Sequence, residues 1–180
     1  MTNISIVEAA TPAQLDQVAA LLRDYLLWMR RRYQGRQGVI DGRFDKNEWD
    51  SELADLAGHY GAPFGAILLG FVDGIPAGCV MMRSIGEKVC EMKRLFVRPA
   101  FQGLGLGRNM VTTLGVLACE RGYPNMRLET GPLQAEAQAL YGAMGFKSIG
   151  PYYARPESIV KDGCFFEKNT CPPAPVRSAA

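Results

Sequence analysis

RLFVRPAFQGLGLGRNM, Arg94 to Met110, is the stretch on which the fold turns. Gly103, Gly105 and Gly107 alternate behind a short apolar run and ahead of residues with helical spacing. A strand that feeds a glycine turn at the start of a helix presents free backbone N–H groups, reinforced by the helix dipole, with no Cβ atoms to hold a ligand away. Phosphate is the natural ligand of such a turn. Two familiar phosphate loops do not fit: a Walker loop needs Gly-Lys followed by Ser or Thr, and a Rossmann fingerprint begun at Gly103 meets Arg108 where its third glycine belongs. A glycine turn that merely packs a helix against a sheet is the plainer alternative. The adjacent Arg98 and Arg108 favour an anion site instead.

Upstream, VCEMKRLFV (Val89 to Val97) reads as the strand that delivers the chain into the glycines. Before it, FGAILLGFV and AGCVMMRSI are apolar runs joined through Asp73-Gly74, a strong hairpin signal. Downstream, Met110, Val111, Leu114, Leu117 and Ala118 keep helical spacing as far as Gly122, and MRLET is a short strand, which completes a βαβ unit. LQAEAQALYGAMGF is predicted as a helix ending at Gly145, and CFFEK as the last strand. At the start, ISIVEA (Ile4 to Ala9) alternates as a strand, and Thr11-Pro12 opens a helix whose apolar stripe, Leu15 to Met29, carries it to about Tyr33. Asp45 with Glu48 resembles a capping box, and Trp49, Leu53 and Leu56 give a shorter helix up to Gly58. The pattern is α/β with a mixed sheet. Residues 1–169 form one domain, and the proline-rich residues 170–180 are expected to be a disordered tail.

A chain of 180 residues has the size of one domain, and 48% apolar with 21% charged residues is ordinary for a soluble protein. A net charge of +2 gives no reason to expect nucleic acid as a partner. The five cysteines, Cys79, Cys90, Cys119, Cys164 and Cys171, are odd in number, scattered and without a CxxC pair, which argues against a disulfide framework and against zinc. Reduced thiols in a cytoplasmic protein are the expectation. The opening MTNISIVEAATPAQ lacks the plan of a signal peptide, and no apolar run approaches the roughly 20 residues of a membrane span, so no membrane partner is expected.

Gln102 to Gly107, QGLGLG, resembles the Q/R-x-x-G-x-G/A signature of the GNAT N-acetyltransferase superfamily, whose turn binds the pyrophosphate of acetyl-CoA. The resemblance runs from about Cys90 to Phe146. It takes in a strand with an acidic residue, Arg98-Pro99, the loop and its helix, MRLET, and then Ala137, Leu140, Tyr141, Gly145 and Phe146, which match the family's A-x-x-L-Y-x-x-x-G-F. It implies a GNAT-like acyl-CoA N-acyltransferase fold: a central mixed sheet with a splayed strand pair, four main helices, and acetyl-CoA as cosubstrate in the splay. By the same resemblance Gln102, Gly103, Leu104, Gly105, Leu106, Gly107 and Arg108 hold the cofactor's phosphates. The backbone of Leu95, Phe96 and Val97 pairs with the pantetheine arm, and the Leu95 N–H faces the thioester carbonyl. Gln134 stands where relatives usually have an asparagine that touches the cofactor. Homodimers are frequent in the family, and no metal is implied.

Acyl transfer to an amine needs a neutral amine, a stabilised oxyanion and a proton for the thiolate, and a free amine with a pKa near ~10 is mostly charged at neutral pH. Strict alternation places Glu91, Lys93, Leu95 and Val97 on one face of the strand, and Cys90, Met92, Arg94 and Phe96 on the other. Glu91 stands eleven residues before Gln102, the spacing of the general-base glutamate in the histone-acetylating branch of the family. It is the candidate base, directly or through water; the competing reading is a carboxylate paired with Lys93 or Arg94. Tyr141 occupies the family's general-acid position, and a neutral phenol suits a proton donor to the leaving thiolate. Packing beside Leu140 is its alternative.

Glu129 ends the next strand, where it either attracts an ammonium or is a solvated strand-end charge, the commoner outcome. Arg30 to Arg32 either hold an acceptor's carboxylate or the phosphates of CoA, or form a basic helix end stabilised by the dipole, the favoured reading. His59, the only histidine, is distant in sequence from the loop and gives no support to metal or His-nucleophile chemistry. The resulting expectation is direct acetyl transfer to a small-molecule or amino-acid-like amine, with a non-catalytic acyl-CoA-binding module of the same fold as the rival.

Overall fold

The alternating and apolar runs assemble into one seven-stranded mixed sheet in a computed structural model, which describes residues 2–153 and 163–171. The strands are β1 (Ile4–Glu8), β2 (Ala66–Val72), β3 (Ile75–Gly86), β4 (Val89–Val97), β5 (Asn125–Thr130), β6 (Lys147–Ile149) and β7 (Cys164–Asn169), in spatial order β1-β2-β3-β4-β5-β7-β6. Neighbours are antiparallel except β4 and β5, which run parallel because a helix, α5 (Leu106–Glu120), crosses between them. Asp73 and Gly74 turn the β2–β3 hairpin with φ of 49° and 79°, as a type I′ turn requires.

Helices α1 (Pro12–Arg32), α2 (Gln37–Arg43), α3 (Lys46–Ala54) and α4 (Leu56–Tyr60) cover one face, and α5 with α6 (Ala135–Ala143) the other. Thr11 and Gln14 close a capping box at the start of α1: the Gln14 N–H donates to the Thr11 hydroxyl at 3.3 Å, and the Gln14 side chain accepts from the Thr11 N–H at 3.1 Å. The central strands are apolar on both sides, so they feed two cores. Leu68, Val80, Met82, Cys90 and Met92 pack beneath α5, while Ile67, Leu69, Cys79 and Met81 pack beneath α1 to α4. Glycine lets α5 sit close to the sheet: a Cβ on Gly70 would lie 2.8 Å from Leu106 Cδ1 and 3.0 Å from Met110 Sδ. This seating fixes the N-terminus of α5 at the end of β4.

The segment expected to continue as one helix to Gly58 breaks at Asp55, whose backbone leaves the helical region and whose carboxylate accepts the Gly58 N–H at 2.8 Å to start α4. Neither α2 nor the three-residue β6 was legible, since both are short and carry no periodic apolar pattern. The reading against disulfides is corrected too: Cys119 and Cys171 are bonded, with Cα atoms 5.2 Å apart. Separated by 52 residues in sequence, they meet because β7 runs back along β5 to the end of α5. Thr170 is anchored as well, its N–H to the Pro124 carbonyl at 2.8 Å and its hydroxyl to the Tyr123 carbonyl at 2.7 Å. Residues 170 and 171, expected to open the tail, are thus held against the fold, and the rest of that stretch, residues 172–180, lies outside the described residues. Among the described residues no helix is long and apolar enough to cross a membrane.

Candidate active site

β4 and β5 pair only from Val89 and Asn125 to Met92 and Leu128. Beyond Met92 the strands separate, which leaves the β5-facing edge of Lys93 to Val97 unpaired. On its other edge β4 carries a bulge: Lys93 stands opposite Met81 and Phe96 opposite Cys79, so Arg94 and Leu95 together face Val80. Arg94 takes up the extra residue at φ 58°. The insertion resets the alternation. Leu95 and Val97 join Met92 against the α5 core, while Phe96 enters the opposite core, on the side of Glu91 and Lys93. The expected face shared by Glu91, Leu95 and Val97 is thus corrected, because strict alternation cannot anticipate one added residue.

The splay opens into a cleft of about 860 Å³. Its far wall is the glycine loop, where Gly103 and Gly105 adopt φ of 80° and 88°, a conformation that favours glycine, with no atom within 4 Å of where a Cβ would stand. The first helical bond of α5 runs from the Asn109 N–H to the Gly105 carbonyl at 3.0 Å. The N–H groups of Leu106, Gly107 and Arg108 precede it, and these three residues line the cleft. Gln102 lines it as well, its amide donating to the Val97 carbonyl at 2.9 Å. Leu104 does not; its side chain is exposed. Arg98, read as a neighbour of the anion site, turns the other way to Asp24 at 2.8 Å and the Pro76 carbonyl at 2.7 Å.

Across the loop, α6 contributes Tyr141, buried between Phe146 and Phe166 with ring centroids 5.7 and 6.0 Å away. Its hydroxyl has no hydrogen-bond partner among the described residues, and burial raises its pKa above that of a free phenol, so it stays protonated. Gln134 lines the cleft but is occupied: its carbonyl accepts from the Tyr33 hydroxyl at 3.0 Å, and its amide meets Met29 Sδ at 3.2 Å. Arg32 ties α1 to α6 through the Leu133 carbonyl at 2.6 Å and the Glu136 carboxylate at 2.7 Å, so part of the basic helix end is a clamp.

The remaining wall carries paired charges. Glu91, 2% exposed, binds Arg83 through Nε and Nη2 at 3.0 and 2.8 Å, Lys93 at 3.6 Å, and the Tyr152 hydroxyl at 2.9 Å. Burial opposes its charge, yet Lys93, Arg83 and Tyr152 outweigh it and hold the carboxyl below the usual range. Glu52 behaves alike: burial disfavours its charge, and Arg94 (2.8 and 2.7 Å) with the Tyr60 hydroxyl (2.8 Å) more than compensates. The Arg94 guanidinium lies 4.9 Å from the ring centroids of both Phe44 and Trp49. Glu129 is not solvated; Arg43 holds it at 2.6 Å, and Tyr153 donates to its other oxygen. Glu91 and Lys93 also border a second cavity of about 340 Å³ beside Tyr152 and Arg127.

The sequence offers Lys93 only as a partner of Glu91 and gives no sign of Arg43, Glu52 or Tyr152. Their partners lie 86, 42 and 61 residues away, and nothing local marks them. His59 lines the cleft from α4. Burial pushes the Cys79 and Cys90 thiols up to about 12, which leaves both uncharged and poor nucleophiles.

The family model for acetyltransferases (GNAT) matches residues 22–146. An uncharacterized N-acetyltransferase of Schizosaccharomyces pombe is 35% identical over 157 residues, which span 86% of this chain and 90% of the relative. Against N-acetyltransferases of Dictyostelium discoideum and Mus musculus the match spans only 33% and 39% of their length. Among solved structures, a GNAT-family acetyltransferase from Staphylococcus aureus superposes with a TM-score of 0.73 at 17% identity, over 94% of this chain and 100% of that one. A Salmonella typhimurium structure that includes acetyl-CoA superposes with a TM-score of 0.63 at 20% identity, over 97% and 98% of the two chains. At these identities the structural matches speak to the fold.

Proposed function

The chain belongs to the acetyltransferase (GNAT) family, and from that premise we propose that it moves the acetyl group of acetyl-CoA directly onto the amine of a small, amino-acid-like acceptor. The observation that carries this reading is the meeting of the splay with the glycine loop: an unpaired strand edge runs straight into a helix N-terminus with three unbonded N–H groups. A pantetheine arm would extend the sheet along Leu95 to Val97, and the pyrophosphate would cap α5 at Gly103 to Arg108. Open space above Gly103 and Gly105 suits that approach.

In the transfer, the amine nitrogen bonds to the thioester carbon, the carbon–sulfur bond breaks, and one amine proton is lost as the thiolate gains one. The N–H of Leu95, which stands in the bulge, is assigned to the carbonyl oxygen. Tyr141 is assigned to the thiolate, for which a protonated, unpartnered hydroxyl is suited. Glu91 is assigned to the amine proton, through water. A carboxylate held this acidic keeps a proton poorly, so it passes the proton on, and the second cavity beside Tyr152 provides a way out. The test is release of CoA thiol from acetyl-CoA over a panel of amines. Binding without release for every amine would leave a non-catalytic acyl-CoA-binding protein.

A further inference from the structure

Arg43, the last residue of α2, reaches across the cleft to Glu129 near the end of β5. Only its Nη1 is used. Its Nε and Nη2 are shut off from solvent and have no hydrogen-bond partner, and among the described residues no other side-chain nitrogen or oxygen so shut off is left unpaired. Buried donors of a cation rarely go unmatched, because the lost hydration is not repaid. Nε and Nη2 lie on one edge of the guanidinium, and the same edge holds a carboxylate elsewhere in this wall, at Glu52 in Arg94 and at Glu91 in Arg83. What Arg43 lacks is a partner for that edge.

We propose that the acceptor supplies that partner: the shielded Arg43 side chain turns its Nε and Nη2 edge to the carboxylate of the incoming amine, so the enzyme selects amino-acid-like acceptors with a free carboxylate. This inference rests on the acetyl-transfer reading and names its substrate class. Planar, two-oxygen recognition suits a carboxylate. Glu129 holds the guanidinium in place through Nη1 and is a positioning residue. Tyr25, Phe44 and Trp49, all lining the same cleft, supply an apolar wall that strengthens the pairing.

The test compares thiol release from acetyl-CoA with free L-amino acids and with their α-carboxamides, which keep the amine and side chain but lose the charge. The expected kcat/KM is about 10²-fold or more higher for the acids, since a site built for a hydrogen-bonded group rejects the analogue that lacks it. Arg43→Lys keeps a cation for Glu129 but lacks the forked edge, and should lower that acid-to-amide ratio by about tenfold or more. Equal rates for acids and amides in the native enzyme, which needs no variant, would overturn the inference while leaving acetyl transfer intact, as would an unchanged ratio in Arg43→Lys. No release with acids, amides or amines lacking a carboxylate would overturn the transfer reading and the inference with it.

Discussion

Gly105 offers a perturbation whose cost can be worked out in advance. It sits at φ 88° and ψ −5°, with open space around the position of a Cβ, so a side chain there meets backbone strain and no clash. The strain for an L-residue is about 1–2 kcal/mol. For a domain of this size each kcal/mol moves Tm by about 2–4 °C, so Gly105→Ala should melt about 2–8 °C lower. CoA at a hundred times its Kd adds about 2.7 kcal/mol, or about 5–11 °C, and that shift should survive in Gly105→Ala. Gly105→Glu bears the same strain but places a carboxylate among the free N–H groups of Leu106, Gly107 and Arg108, where it stabilises the helix end and repels the pyrophosphate. Thermal melts with and without CoA should therefore give a folded Gly105→Glu protein with no shift. A shift in Gly105→Glu as large as in the native protein would refute the placement of the phosphates.

Glu91→Gln should lower turnover on the order of 10²-fold while the CoA-induced shift persists. The sign of its pH dependence follows from the depressed pKa: the carboxylate is charged at and above its ordinary value near ~4, and loses its charge only below it, so any limb near neutrality belongs to the amine. The Glu91→Gln deficit should shrink as pH approaches the amine's own pKa, and a deficit constant with pH would make Glu91 structural. Tyr141→Phe should reduce kcat by roughly 10- to 10³-fold with Tm unchanged, because the ring contacts remain and no hydrogen bond is lost. Native turnover in that variant would hand the proton to water.

Local signals carried the architecture. The Asp73-Gly74 hairpin, the Thr11-Pro12 helix start and the bounds of β4 were all legible, because each is written in a few consecutive residues. The loop was legible for the same reason. What stayed hidden depends on distant partners or on a single inserted residue. The bulge at Arg94 inverted the faces of Leu95 to Val97, and periodicity has no means to count it. Arg98 looked like an anion ligand until Asp24, 74 residues away, took it. Arg43 looked like nothing at all, since its meaning comes from Glu129 across the cleft and from what it lacks.

The central claim is acetyl transfer at the splay, and the most direct measurement follows CoA thiol release together with the mass of the acceptor in the same reaction. The account predicts thiol release that depends on an amine, with one acetyl group gained by the acceptor for each thiol freed, and loss of both signals in Gly105→Glu. Acetyl-CoA that binds and stabilises the protein, yet frees no thiol and acetylates no amine, would contradict it.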